Sequence, residues 1–341
     1  MTHLRSFSGG FAAASMAAFI AACCGSISSV AANTSSISIG FILKPINNPY
    51  FATMGQGASA EAHKLSAHLT TEDAANLADA TGQANAFSAL IAHDYSCYLV
   101  NPVDPTNLVE PLVTAQGQHR PIVNIDLPIS PLAAKAAGVH IDTYIGTDNV
   151  AAGELAAVQL EKMIPAGSEV AIIGGLASDP TSQARIRGFE EGAASKLHIV
   201  QTVAGNWNRE TALNDATTIL QKEPDLKGFF VANGDMALGV QRAIGIAGKG
   251  GKVDTIAVIG DTAVIKEIEA GTMAAAVEQF PATIGQMGVQ ACVAAVEGKT
   301  LPASVATPIE VITRANAAKA LAVFPQPFEP FTDPFTSLID H

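Results

Sequence analysis

Apolar runs alternate with amphipathic stretches along most of the chain. Ser36-Ile37-Ser38-Ile39-Gly40-Phe41-Ile42-Leu43 is almost unbroken in its apolar character, the pattern of a strand buried on both faces of a parallel sheet. Residues 50–65 read as the helix that follows. Helices over 79–92 and 106–118 then frame strands at 96–100 and 121–125, and a linker from Pro128 to Val139 delivers Tyr144-Ile145-Gly146. A second series follows, with helices at 149–163, 181–195, 210–221 and 236–247 between strands at 169–174, 197–202, 228–231 and 255–260. Ala274-Ala275-Ala276-Val277 and a helix over 284–296 complete the last unit. Such alternation predicts a layered α/β architecture. A single parallel sheet of this size would be unusually large. Two doubly wound lobes fit the length better, with a cleft between them that collects polar strand ends.

The segment ahead of this series is different. Arg5 supplies a positive charge, and an uncharged Ala-rich run from Phe11 to Cys24 follows. That run has the length of a signal h-region and is too short to span a bilayer comfortably. Residues 1–34 therefore read as a signal peptide or lipoprotein leader. Val30-Ala31-Ala32 offers ordinary cleavage before Asn33, whereas Ile20-Ala21-Ala22-Cys23 resembles a lipobox that would leave a lipidated Cys23. The expected location is the periplasm or the outer face of the cytoplasmic membrane, soluble or anchored through Cys23.

The net charge of −12 argues against a nucleic-acid partner and against charge-driven adhesion to anionic lipid. No Cys/His spacing suggests zinc, and no metal or cofactor is expected. Cys97 falls in an apolar strand and Cys292 in an Ala-rich helix; two buried free thiols are the plainer reading, because a disulfide between them cannot be read from spacing. Residues 314–341 form a Pro/Phe-rich tail, read as poorly ordered or pinned to the surface by its rings.

Candidate chemistry gathers at strand ends. Asn47-Asn48-Pro49-Tyr50-Phe51 places a polar pair and two aromatic rings after the first strand, where open α/β sheets bind small ligands. Asn101-Pro102-Val103-Asp104, Ile125-Asp126, Gly146-Thr147-Asp148-Asn149, Arg185-Ile186-Arg187-Gly188-Phe189, Asn233-Gly234-Asp235, Val258-Ile259-Gly260-Asp261 and Glu278-Gln279-Phe280-Pro281 follow in order. With these motifs, the chain from about Ile37 to Thr313 resembles the periplasmic substrate-binding proteins of the ribose-binding type, the sugar-binding components of ABC importers. The resemblance implies a type I periplasmic binding protein fold of two lobes joined by three hinge strands. Carried over, lobe 1 combines 37–146 with 280–306, and lobe 2 combines 147–279 with 307–313.

It also implies ligand-binding roles for Asn48, Tyr50, Phe51, Asp126, Arg185, Trp207, Asn233, Asp261 and Gln279. Asn48 has a donor and an acceptor for a hydroxyl, although it also sits where a helix cap belongs. Tyr50 and Phe51 offer flat faces, and Asp126 offers two strong acceptors. Arg185 presents a fork of donors, with Arg187 competing for the role. Trp207, the sole tryptophan, lies in a polar loop and either stacks on ligand or packs across a helix. Asp148 and Asp235 look like helix-start residues. The family commonly carries Arg directly after the first-lobe Asp; Leu127 stands there, so a fork of donors is expected to be missing. No nucleophile and base stand at recognisable spacing, so no enzyme is expected. The implied function is capture of a small neutral polyhydroxylated solute, a monosaccharide or related polyol, by a monomer that delivers it to a membrane permease. The alternative is a sensory protein docking on a membrane receptor.

Overall fold

Strands that are apolar on both faces need helices above and below them, and the chain supplies both layers twice. The computed structural model describes residues 36–194 and 196–339. The leader, including Cys23, lies outside the described residues. The first half runs β1 (Ser38–Leu43), α1 (Pro49–Lys64), β2 (His68–Asp73), α2 (Ala80–Ile91), β3 (Cys97–Val100), α3 (Val109–Gly117), β4 (Ile122–Ile125), α4 (Pro131–Ala137) and β5 (Thr143–Thr147). The second runs α5 (Asn149–Glu161), β6 (Glu169–Gly174), α6 (Pro180–Ala193), β7 (His198–Ala204), α7 (Arg209–Lys222), β8 (Gly228–Val231), α8 (Gly234–Ile246), β9 (Asp254–Ile259), α9 (Thr262–Ala270) and β10 (Ala275–Gln279). Then come α10 (Pro281–Val296), β11 (Ser304–Thr307), β12 (Ile309–Thr313) and α11 (Ala317–Val323).

One sheet has the order β11-β5-β4-β3-β1-β2 and the other β12-β10-β9-β8-β6-β7. The pairings are parallel except that of β10 with β12. In each sheet the winding reverses beside the first strand, between β1 and β3 and between β6 and β8. Crevices for ligands form at the carboxyl ends of strands flanking such reversals. The chain passes between the sheets three times: after β5, after β10, and at Pro308 between β11 and β12.

Several helix pairs lie close where glycine permits it. A Cβ on Gly285 of α10 would stand 2.1 Å from the Met54 carbonyl oxygen of α1. One on Gly188 of α6 would stand 2.0 Å from the Val150 carbonyl oxygen of α5.

Several features depart from the sequence reading. β2 is a sheet edge with exposed and half-exposed side chains, so it lacks the apolar signal of its neighbours. The linker 128–139 holds α4, capped by Ser130 Oγ, opened by Pro131 and closed by Gly138 at φ 73°. Asp261 opens α9, a helix absent from the sequence reading. Cys97 and Cys292 are not free thiols. They form a disulfide with a Cα–Cα distance of 5.7 Å, joining β3 to α10. A separation of 195 residues hides this pair in the sequence, whereas the packing of α10 over the sheet creates it. Through residue 339 the tail is not held only at the surface, since Phe335 is fully buried.

Because the bridge ties two elements of the first lobe across a long loop that contains the second lobe, Cys292→Ala is expected to lower unfolding stability by about 2–4 kcal/mol. Denaturant unfolding of the oxidised protein and the variant measures this. Equal midpoints would show that the bridge adds nothing to stability.

Candidate functional site

The crevice between the sheets has a volume of about 460 Å³, within the range of small-molecule sites. Its walls come from both lobes and include all nine residues singled out from the sequence: Asn48, Tyr50, Phe51, Asp126, Arg185, Trp207, Asn233, Asp261 and Gln279. Lys44, Asp179, Arg209 and Asp235 join them.

On the first lobe, Lys44 directly follows β1. It is 6% exposed, and its Nζ lies 3.1 Å from Asp126 Oδ2 and 5.2 Å from the centre of the Phe51 ring. Asp126 follows β4 in the left-handed region, at φ 63°. Its N–H donates to the Ile145 carbonyl (2.9 Å), and its carbonyl accepts from the Tyr144 hydroxyl (2.7 Å). These bonds hold a conformation that L-residues rarely adopt and that Asp tolerates better than most. Asn48 caps α1 by accepting from the Tyr50 N–H at 3.0 Å, which leaves its amide NH₂ group to the cleft. Tyr50 crosses the crevice, and its hydroxyl donates to Gln279 Oε1 at 3.4 Å. A Cβ on Gly260 would meet the Tyr50 ring at 2.6 Å, so only glycine lets the ring lie there. Burial, and next the Asp126 charge, push the Tyr50 hydroxyl well above the usual phenol range and keep it a neutral donor.

On the second lobe, Arg185 is 6% exposed and bonds three neutral acceptors. These are Asn149 Oδ1 (2.8 Å), the Ala232 carbonyl (2.6 Å) and Gln279 Oε1 (2.9 Å). Burial lowers its pKa, and Tyr50, Asp126 and Asp179 partly restore it. Arg187, the competing arginine, is exposed on α6 and lies 3.9 Å from Glu191. Asn233 and Asp261 cap α8 and α9 through the N–H groups of Met236 (2.9 Å) and Ala263 (2.8 Å). Burial raises the Asp261 pKa, and the backbone N–H donors of Ala263 and Val264 partly offset that rise. Asp148 caps α5 and Asp235 lies in the first turn of α8, helix-start positions as expected, and Asp235 also pairs at the rim with Arg209 at 2.6 Å.

Trp207 is held from several sides. Its indole N–H donates to Asp179 Oδ2 at 3.1 Å, while Asp179 Oδ1 caps α6 through the Thr181 N–H at 2.7 Å. A Cβ on Gly175 would lie 2.1 Å from the ring, so the indole rests on bare backbone. The Arg185 guanidinium carbon stands 5.9 Å from the ring centre.

Lys44 and Asp179 were missed in the sequence. A lysine closing a buried strand signals a buried cation that needs a partner. Asp179 before Pro180 carries the signal of a helix cap only. Leu127 is 1% exposed and does not line the cleft, so no guanidinium fork follows Asp126, and Lys44 places an ammonium beside Asp126 instead.

Residues 39–300 match the periplasmic binding protein domain family. The chain belongs to this family. It is 35% identical over 265 residues to the D-allose-binding periplasmic protein of Escherichia coli, covering 76% of this chain and 85% of that protein. A solute-binding protein of Actinobacillus succinogenes with bound D-allose superposes with a TM-score of 0.78 at 26% identity, over 83% of this chain and 99% of its own. One from Agrobacterium vitis with bound D-fucose gives 0.76 at 30% identity, over 84% and 98%. As in other members of the family, the crevice lies between two α/β lobes joined by strands.

Two outcomes are expected at this site. Because Trp207 is the sole tryptophan, intrinsic fluorescence reports on its holder alone. Asp179→Ala should shift the emission maximum and increase quenching by acrylamide, and an unchanged spectrum would show that Asp179 does not position the ring. Beside the cleft, Glu278 is 1% exposed, and neither carboxylate oxygen has a partner among the described residues. Burial, then the charges of Asp261 and Glu310, raise its pKa well above the usual glutamate range. The folded state then keeps a proton that the unfolded chain releases above about pH 4.3. The stability that Glu278 contributes is complete below that pH and is lost as pH rises through its folded pKa. Glu278→Gln should flatten this loss in melting temperatures measured from about pH 4.5 to about pH 8. Equal slopes in both proteins would refute it.

Proposed function

We propose that the protein captures a neutral monosaccharide outside the cytoplasmic membrane and delivers it to the permease of an ABC importer. The observation that carries this reading is a single crevice with one buried cation on each lobe. Lys44 is paired with Asp126 on the first lobe, and Arg185 is held by neutral acceptors on the second. Between them lie amide groups and aromatic faces. Hydroxyls can both donate and accept, so they suit a site that offers carboxylate, guanidinium, ammonium and amide together. The C–H faces of a sugar ring suit Tyr50, Phe51 and Trp207. Solute docks on one lobe, bending at the three crossings brings in the other, and water leaves the polar bonds. No bond of the solute is broken.

A six-carbon aldose of the D-allose class is the first candidate. The D-allose-binding relative and the D-allose-bound structure support it. Asp126 and Lys44 would take adjacent hydroxyls on the first-lobe side. Arg185, Asn233, Asp261 and Gln279 would take those facing the second lobe, and Asn48 would add a donor.

Calorimetry and thermal shift against D-allose, D-ribose, D-fucose, neutral polyols and cyclitols test this. A hit at 100 times its Kd should stabilise the native state by about 2.7 kcal/mol. Asp126→Ala and Arg185→Ala should each weaken binding by roughly a hundredfold, as expected when a buried charge-assisted bond is cut, without loss of helical circular dichroism. Full affinity in both variants would remove the crevice from consideration.

A further inference from the structure

The chain beyond β12 makes contacts that the crevice does not use, and it lies past the family match, which ends at residue 300. Its first part belongs to the second lobe. α11 packs there through Ala317 and Ala320, and Phe324 and Phe328 lie against the same core. The N–H groups of Phe328 and Glu329 donate to the two carboxylate oxygens of Glu310 on β12, at 3.1 and 2.9 Å. Lys319 pairs with Glu329 at 2.6 Å and stands 5.4 Å from the centre of the Phe328 ring. The last part belongs to the first lobe. Phe335 is fully buried in the core that holds Ile39, Val289 and the Cys97–Cys292 bridge, and Ile339 packs with Val293 and Ala294.

Between these anchors run residues 330–334, a stretch that includes Pro330 and Pro334. Such a segment extends by at most about 3.6 Å per residue, and its prolines have fixed φ. It leaves the second lobe beside the crossing at Pro308, where Phe328, Glu329, Pro330 and Phe331 form a hollow with Pro308 and Ile309. Bending at this crossing therefore moves a half-buried anchor, Phe328, and a fully buried one, Phe335, relative to each other across a short link with proline at both ends.

We propose that residues 324–339 are a strap across the hinge, a fourth connection between the lobes that limits opening of the crevice. A hinge of strand ends swings freely only if nothing else ties the bodies it joins. With the strap seated, wide opening requires Phe335 to leave the first-lobe core or Phe328 and Glu329 to leave Glu310. The unliganded protein stays near its binding arrangement, and the apparent Kd stays close to the intrinsic one. The effect on affinity rests on the sugar-binding reading above; the limit on opening does not.

The test uses the chain from Ser36 onward, carrying spin labels at Leu132→Cys and Leu176→Cys, exposed positions on the first and second lobes. The native cysteines in this span are in the disulfide and take no label. One variant inserts six Gly/Ser residues between Phe331 and Thr332, which lengthens the strap and keeps both anchors. A second, Phe335→Ala, removes the first-lobe anchor at unchanged length. Without ligand, the parent should give a narrow distance distribution, and both variants a broader one extending to longer distances. Should D-allose bind, its Kd should rise about threefold or more in the insertion variant, as the fraction of competent protein falls. A distribution in the insertion variant equal to the parent's overturns the strap, and so does a parent distribution as broad as the variant's. Broadening in Phe335→Ala alone would show that the tail only packs. Failure of every sugar to bind, with the distance result intact, would count against the functional reading and leave the strap standing.

Discussion

Arg185 carries a positive charge into a place that water barely reaches, and no carboxylate among the described residues bonds to it. Burying a cation in this way is costly unless its N–H groups find acceptors. Three elements supply them: the first residue of α5, the residue after β8, and the last residue of β10. The guanidinium therefore fixes the second-lobe strand ends relative to one another. It orients Gln279, whose same oxygen accepts from Tyr50 of the first lobe. A guanidinium has five N–H donors. Three bonds are made here, and the remaining donors suit oxygens brought by a ligand.

The first lobe treats its buried cation differently. Lys44 faces Asp126 at 3.1 Å, and Asp126 is held in a left-handed conformation by Tyr144 and Ile145. The pair is nearly neutral as a unit but still exposes donors and acceptors to the crevice. Across from it, the Arg185 charge is balanced at a distance by Asp126 and Asp179. An uncharged solute can enter this arrangement without forcing any group to change its protonation. A neutral solute also adds no buried charge that would need a partner of its own.

Much of this was legible in the sequence because buried parallel strands declare themselves. The runs around Phe41, Ile172 and Phe230 are apolar on both faces, so their carboxyl ends, and the polar residues just beyond, could be located. What stayed hidden had weak or distant signals. β2 is polar because one side of it has no neighbouring strand. α4 is short, although Ser130-Pro131 and Gly138 mark both its ends. The Cys97–Cys292 bridge depends on α10 returning to the first lobe, a tertiary event that no local pattern records. The Phe residues of the tail resembled surface anchors, since nothing near residue 335 in sequence shows that β1 and α10 leave a space for a ring.

Three crevice residues show that capping a helix and presenting a polar group to the crevice are compatible. Asn48, Asn233 and Asp261 each cap a helix with one oxygen. Each therefore has its χ angles fixed by a backbone bond before any ligand arrives. The cap leaves the amide NH₂ of the two asparagines and the second oxygen of Asp261 for the crevice. It also brings three helix N-termini to the same space, with their partial positive charge directed at it. A flexible polar side chain would have to be ordered on binding, at a cost in entropy for each group. Here folding has already ordered it. The strand-end position that makes a residue a helix cap is thus the same position that fixes a donor or acceptor at the crevice, as the proposed sugar-binding role requires.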